Sequence, residues 1–249
     1  MKRIFLVGML VIPFLSCKNS MSGNKQNDLS ESQDSVTAMS LVTFPKPDHI
    51  VVVIVENHRY SQLIGSGSAP YINSLINDSA SALFTESFAI AHPSQPNYIM
   101  LYSGNAQGVT DDLMPSNIPF TTPNLGRQLI DSGKTFITYS EGLPAIGYNG
   151  ASSGWYARKH NPAANWMGTG KNQVSPTVNQ PFTAFPSNDF SSLPAVSFVV
   201  PDLIHDMHDG TDPVRIKACD DWISTNLGRW IIRNKLTPHY RNYFWFSFS

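Results

Sequence analysis

Three observations predict an α/β fold, a doubly wound and mostly parallel sheet with helices on both faces. The run HIVVVIV at 49–55 is continuous and β-branched, as expected of a strand covered on both sides. Strand-like and helix-like segments then take turns along the chain. Glu56, Asn57 and His58 follow the first strand directly, at the carboxyl edge where open parallel sheets bind their ligands.

Taken in order, residues 1–17 (MKRIFLVGMLVIPFLSC) join two basic residues to an apolar run too short for a permanent membrane span, the pattern of a secretory signal. Its end at Cys17 is similar to the lipobox of bacterial lipoproteins, which makes Cys17 a candidate lipidation site; the other reading is a plain signal peptide. Both place the protein outside the cytoplasm, in the periplasm or on the outer membrane or cell surface of a bacterium. Residues 18–47 are polar, Ser-rich and without apolar periodicity, and predict a flexible tether. The folded domain is expected over 48–249.

Within it, PYINSLINDSA at 70–80 spaces Tyr71, Ile72, Leu75, Ile76 and Ser79 as a helix behind a first-position proline. ALFTESFAI at 82–90 is a strand candidate. TTPNLGRQLIDSG predicts a helix capped by Thr122, with Pro123 at its first position and Gly133 just past its end. KTFITYSE at 134–141 and PAVSFVVPD at 194–202 read as strands, and Asp212 and Pro213 open a last helix through IKACDDWISTNLGRWIIR. The Gly-, Pro- and Asn-rich stretch 142–193 is too long for a connector and is expected to form an insertion over the active face.

Composition narrows the function. With 17 Lys and Arg against 18 Asp and Glu, a formal charge of -1 lacks the basic excess that nucleic-acid binding needs. Charged residues make up only 14% of the chain, which suits an exported, loop-rich protein. Lipidation or removal of Cys17 would leave Cys219 without a disulfide partner, and packing inside a helix is its expected role.

Glu56 and Asn57 offer a carboxylate and an amide oxygen on a rigid strand, the beginning of a divalent-cation site; a simple strand cap is the competing reading. In AHPSQPNYIMLYSG at 91–104, prolines stiffen the turn around Ser94 and set its hydroxyl at the start of a helix, where free N–H groups attract anions. Such a serine is either an N-cap or, with a metal or base beside it, a nucleophile.

Four ordered blocks, ENHRYSQLIG, HPSQPNYIMLYSG, GWYARKHNPAANW and FVVPDLIHDMHDG, resemble the bacterial acid phosphatase and phospholipase C branch of the alkaline phosphatase superfamily, over residues 48 to about 230. The resemblance implies a metal-dependent phosphoric ester hydrolase working through a phosphoseryl intermediate on a small-molecule or lipid phosphate ester. It implies Glu56, Asn57 and Ser94 as metal ligands, the metal's identity being open, and Ser94 as nucleophile. It further implies Asn97 as a hydrogen-bond donor beside the phosphate, and Lys159 and His160 as a basic pair that holds phosphate or protonates the leaving oxygen. Asp206 and His208 match another block of the active face. On residue type alone, Lys159 and His160 also read as surface residues, and Asp206 and His208 as a solvated turn or weak cation loop.

One departure stands out. Relatives follow the DDWIST helix with a strand ending in an acidic pair that completes the metal site, whereas no Asp or Glu occurs here after Asn234. This predicts a C-terminally incomplete core with a weakened metal site. The alternative function is therefore a catalytically impaired member acting at most as an anion-binding lipoprotein, and a sulfatase or phosphonate hydrolase of the same superfamily is a lesser option.

Overall fold

The computed structural model describes residues 47–79, 81–236 and 243–245, with side chains through 232. The expected signal, Cys17 and nearly all of the tether lie outside these residues.

The chain forms β1 (Ile50–Val53), α1 (Tyr60–Leu63), α2 (Pro70–Ile76), α3 (Ser94–Ser103), α4 (Leu125–Asp131) and β2 (Phe136–Ser140). There follow a small hairpin of β3 (Ser152–Ser153) and β4 (Tyr156–Ala157), then β5 (Asn179–Pro181), β6 (Val196–Val200), α5 (Val214–Leu236) and β7 (Tyr243–Trp245). Five strands make one sheet in the order β5-β2-β6-β1-β7, and every neighbouring pair is parallel.

Strand alternation sends residues to two cores. Val51, Val53, Tyr139 and Val199 pack with Ile72 of α2 and with Ile216, Cys219, Ile223, Leu227 and Trp230 of α5. Phe136, Val196 and Phe198 face the other way, onto Ile99 and Tyr102 of α3 and onto Ala163, Ala164 and Trp166. This is the expected doubly wound α/β arrangement, and the α5 spacing of three and four residues gives that helix its single buried stripe. Cys219 is a buried member of that stripe, a free thiol.

Several local expectations need correction. Residues 82–90 do not form a strand: Phe84, Phe88 and Ile90 are 70%, 76% and 80% exposed. β1 is already flanked by β6 and β7, and an apolar row interrupted by Glu86 suits no position buried on both faces. The α4 cap is Asn124, whose Oδ1 accepts from the Arg127 N–H at 2.9 Å, so the helix begins two residues later than Thr122 and Pro123 suggest. Gly133, at φ 70°, does stand just past its end. Helix α2 stops at Ile76, short of Ser79. The 142–193 stretch is more than a cover: it supplies β5 to the sheet and buries Trp166 in the core, while its 158–160 turn reaches the active face. Residues Tyr243–Trp245 take the strand position beside β1.

Helix α2 lacks a side-chain cap of its own, because Ala69 precedes Pro70. Asp220 of α5 substitutes, its buried carboxylate accepting the Tyr71 N–H at 3.0 Å and the Ile72 N–H at 2.8 Å. Asp220→Ala should lower unfolding free energy by about 3 kcal/mol, the scale of hydrogen bonds to a charged group left unmade in a core. Urea denaturation of the variant beside the parent measures it.

Candidate active site

The parallel strands bring the ends of β1, β2 and β6 to one edge. Beyond β1 the chain reaches Glu56 and Asn57, the latter at φ 61°, a left-handed turn that asparagine tolerates. The Glu56 N–H donates to the Asp206 carbonyl at 2.8 Å, tying the tip of β1 to the loop after β6. His58 braces the same turn, with Nδ1 at 3.2 Å from the Glu56 carbonyl and Nε2 at 2.8 Å from Asp212 just before α5.

Ser94 is the first residue of α3, and its hydroxyl donates to Glu56 Oε1 at 3.0 Å. A cavity of about 350 Å³ opens here, lined by Asn57, His92, Pro93, Ser94, Asn97, Asp112 and His208. Glu56 is 1% exposed and sits behind Ser94. His160, equally buried, brings Nε2 to 3.1 Å from the same Glu56 Oε1 and Nδ1 to 2.8 Å from Asp206 Oδ2, with its ring stacked on Tyr98 at 4.9 Å.

The charges explain one another. Burial would raise the Glu56 carboxyl, but the adjacent His160 outweighs it and holds Glu56 below its ordinary value. Burial would likewise lower His160, and the Glu56 and Asp206 carboxylates instead push it up to about 9. Asp206 itself is raised, chiefly by burial and only partly offset by His160.

The predicted site residues thus divide. Ser94, Asn57 and His208 meet at the cavity with Glu56 at its back. Lys159 sits at the rim, with Nζ 2.8 Å from Asp112 Oδ2 and 3.2 Å from His208 Nε2. Asn97 lines the cavity, yet its Oδ1 accepts from the Ile90 and Ala91 N–H groups and its Nδ2 donates to the Ala91 carbonyl. Its amide therefore shapes the turn before Ser94. His160 and Asp206 are enclosed behind the cavity lining, His160 against Glu56 and Asp206 with its Oδ1 accepting the His208 backbone N–H at 2.8 Å.

Two donor sets for a metal share Glu56. One is the predicted Glu56, Asn57 and Ser94; the other is Glu56, His160 and His208, whose ligand atoms lie within 4.8 Å of one another. Glu56 Oε2 is buried without a hydrogen-bond partner among the described residues, the kind of orphaned oxygen that a cation would satisfy. The residues present therefore fit a divalent ion.

Sequence reasoning missed Asp112, which comes from a loop with no periodicity; the adjacent acids of GVTDDLMP were its only signal. It also missed a second cluster at the same edge. His205 Nδ1 lies 3.0 Å from Glu141 Oε2 and 3.1 Å from Asp202 Oδ1, while Glu141 Oε1 accepts from the Trp222 indole at 2.8 Å. Hydrogen bonds to Asp202 and Glu141 push His205 up from 6.5 to about 9.

A family model described as the phosphoesterase family matches residues 67–235. A phosphatidylinositol-3-phosphatase of Mycobacterium tuberculosis is 41% identical over 196 residues, covering 78% of this chain and 60% of its own length. A phosphate-repressible acid phosphatase of Penicillium chrysogenum is 31% identical over 154 residues, or 58% of this chain and 35% of its own. An acid phosphatase of Aspergillus fumigatus is 29% identical over 157 residues, again 58% of this chain and 34% of its own. The chain therefore spans less than two thirds of the first of these relatives and about a third of the other two. No solved structure matches it.

Because the folded value for His205 lies above the free one, its stabilising contribution is full below pH 6.5 and disappears as pH rises through about 9. The side chain is partly exposed, so the loss is expected to be about 1 kcal/mol after solvent screening. Denaturant melts of the parent at pH 6.5 and 9.5 should show it within a larger fall that includes His160, and His205→Gln should shrink that fall by about the same amount.

Proposed function

The chain belongs to the phosphoesterase family, and from that membership we propose that it hydrolyses phosphate esters with Ser94 as its nucleophile. The observation that carries this reading is the 3.0 Å hydrogen bond from the Ser94 hydroxyl to the buried Glu56 carboxylate, at a helix start that opens on a cavity shared with His208. Glu56 is an acceptor poised for the serine proton as Oγ begins its attack on phosphorus. The bond from phosphorus to the ester oxygen breaks as the new bond to Oγ forms, leaving a phosphoserine and an alcohol. Water then cleaves the phosphoserine and restores the hydroxyl.

Among the described imidazoles around Glu56, His208 is the one on the cavity wall. Its Nδ1 lies 2.6 Å from Asp209 Oδ1 and its Nε2 accepts from the Lys159 ammonium at 3.2 Å, so Lys159, seated on His208, is the proton source for the departing alcohol. His160 is a positioning partner that keeps Glu56 ionised and oriented. A divalent cation held by Glu56 with Asn57 and Ser94 would supply positive charge against the equatorial phosphoryl oxygens and favour the ionised serine.

The substrate class is a phosphate ester of a small molecule or lipid. Its support is the pairing of a relative named for a phosphoinositide with relatives named acid phosphatases. Export and lipid anchoring at Cys17 belong to the same proposal and rest on residues 1–17. Among the described residues no helix is long and apolar enough to cross a membrane, so attachment in this reading falls to the acyl chains.

Ser94→Ala should cut aryl phosphate hydrolysis by about a thousandfold or more with the melting temperature kept, and acid-quenched parent enzyme should carry a phosphate on Ser94 by mass spectrometry. Chelation should abolish turnover and added divalent metal restore it. Parent protein that binds phosphate yet turns over no ester with any metal would instead support the anion-binding alternative. For the anchor, labelled palmitate should enter the protein in a bacterial host and be lost in Cys17→Ala.

A further inference from the structure

The start of α3 was expected to receive a substrate anion, but an anion of the chain is already there. Asp112 Oδ1 accepts the Gln95 N–H at 3.0 Å, and Oδ2 accepts from Lys159 Nζ at 2.8 Å. Its position is built: the Gln95 side chain, 1% exposed, donates to the carbonyls of Asp111 at 2.9 Å and Leu113 at 2.7 Å, clamping this loop onto the helix start. Pro96, third in the helix, carries no N–H. Of the first three helical residues, only Ser94 keeps an N–H that neither proline chemistry nor Asp112 has removed from an incoming anion.

Two consequences follow for the cavity that Asp112 lines. The Lys159 ammonium, one of the cations expected to hold phosphate, is already neutralised by a carboxylate. Any ligand reaching Ser94 also meets a fixed negative charge on the adjacent wall, in a partly enclosed space where screening by water is reduced. A phosphoryl group with one negative charge can turn its ester or protonated oxygen to that wall. With its one ester oxygen placed in line as the leaving group, a monoester dianion has only charged oxygens left to present.

We propose that Asp112 is a specificity-determining residue that favours singly charged phosphoryl groups, phosphodiesters or singly protonated monoesters, over phosphate dianions. This rests on the reading of the cavity as a phosphoesterase site. The carboxylate acts on the ligand through space, and through Lys159, whose charge it balances. Removing the negative charge while keeping the shape therefore shifts preference toward the dianion, and removing the lysine shifts it the opposite way.

The test uses the full chain at pH 7.5, above the second phosphate pKa of about 6, where a monoester is dianionic and a diester carries one charge. Asp112→Asn keeps the acceptor for Gln95 and loses the charge together with the acceptor for Lys159. It should raise the ratio of kcat/KM for an aryl phosphate to that for its methyl diester by about tenfold or more, and tighten inhibition by inorganic phosphate similarly. Lys159→Gln should lower the same ratio. An equal loss on both substrates, an unchanged ratio, or shifts of the same sign in both variants would overturn the proposal. If the parent hydrolyses neither ester, the phosphoesterase reading fails separately, and calorimetry with inorganic phosphate still decides: tighter binding by Asp112→Asn supports charge selection, and unchanged or weaker binding refutes it.

Discussion

A carboxylate sealed at the end of a central strand has to be compensated, and the site is organised around that need. Glu56 is nearly without solvent, and an unpaired charge there would be expensive. Its Oε1 is met by both the Ser94 hydroxyl and His160, and His160 is in turn held by Asp206 and by the face of Tyr98. Four segments distant in sequence are thereby locked to one point. The backbone bond from Glu56 to Asp206 shows that the main chain takes part as well. Fold and site are coupled here, because the group that prepares the serine also joins β1 to the loop after β6.

Compensation recurs around this centre. Lys159 is balanced by Asp112, His205 by Glu141 and Asp202, and His58 faces Asp212, which also accepts from Arg215. Arg158 is the exception. Buried at 1% exposure, it donates to Asn149, Asn165 and the Ala164 carbonyl, all neutral acceptors, and burial draws its pKa below the ordinary value. A guanidinium tied at three points fixes the turn that carries Lys159 and His160, so these two residues enter the active face from a rigid base.

What could be read from sequence follows from range. The 49–55 run and the 194–202 strand announce themselves because burial on both faces demands continuous apolar residues, and Gly133 because a left-handed residue ends a helix. Glu56, Asn57 and Ser94 were legible because strand tips and proline-stiffened helix starts are local patterns. Asp112 was not, since its meaning depends on Gln95 and on Lys159, which lies 47 residues further on. The bonds of Asn97 to the turn formed by residues 90–93 were hidden for the same reason. The 82–90 segment has a strand's composition, yet β1 already has a neighbour on each side, and one of them comes from the far end of the described chain.

Between Asp206 and His208 stands Met207, wholly buried yet at φ 72°. The left-handed backbone lets Asp206 turn back to accept the N–H of His208, while the thioether fills the core beneath α5. For a side chain of this size that conformation is strained by about 1–2 kcal/mol. Glycine would relax the backbone and leave a hole; a branched aliphatic would fill the hole and strain the backbone further. Opposed demands of this kind leave the position a narrow evolutionary corridor, with loose packing on one side and a misdirected imidazole on the other.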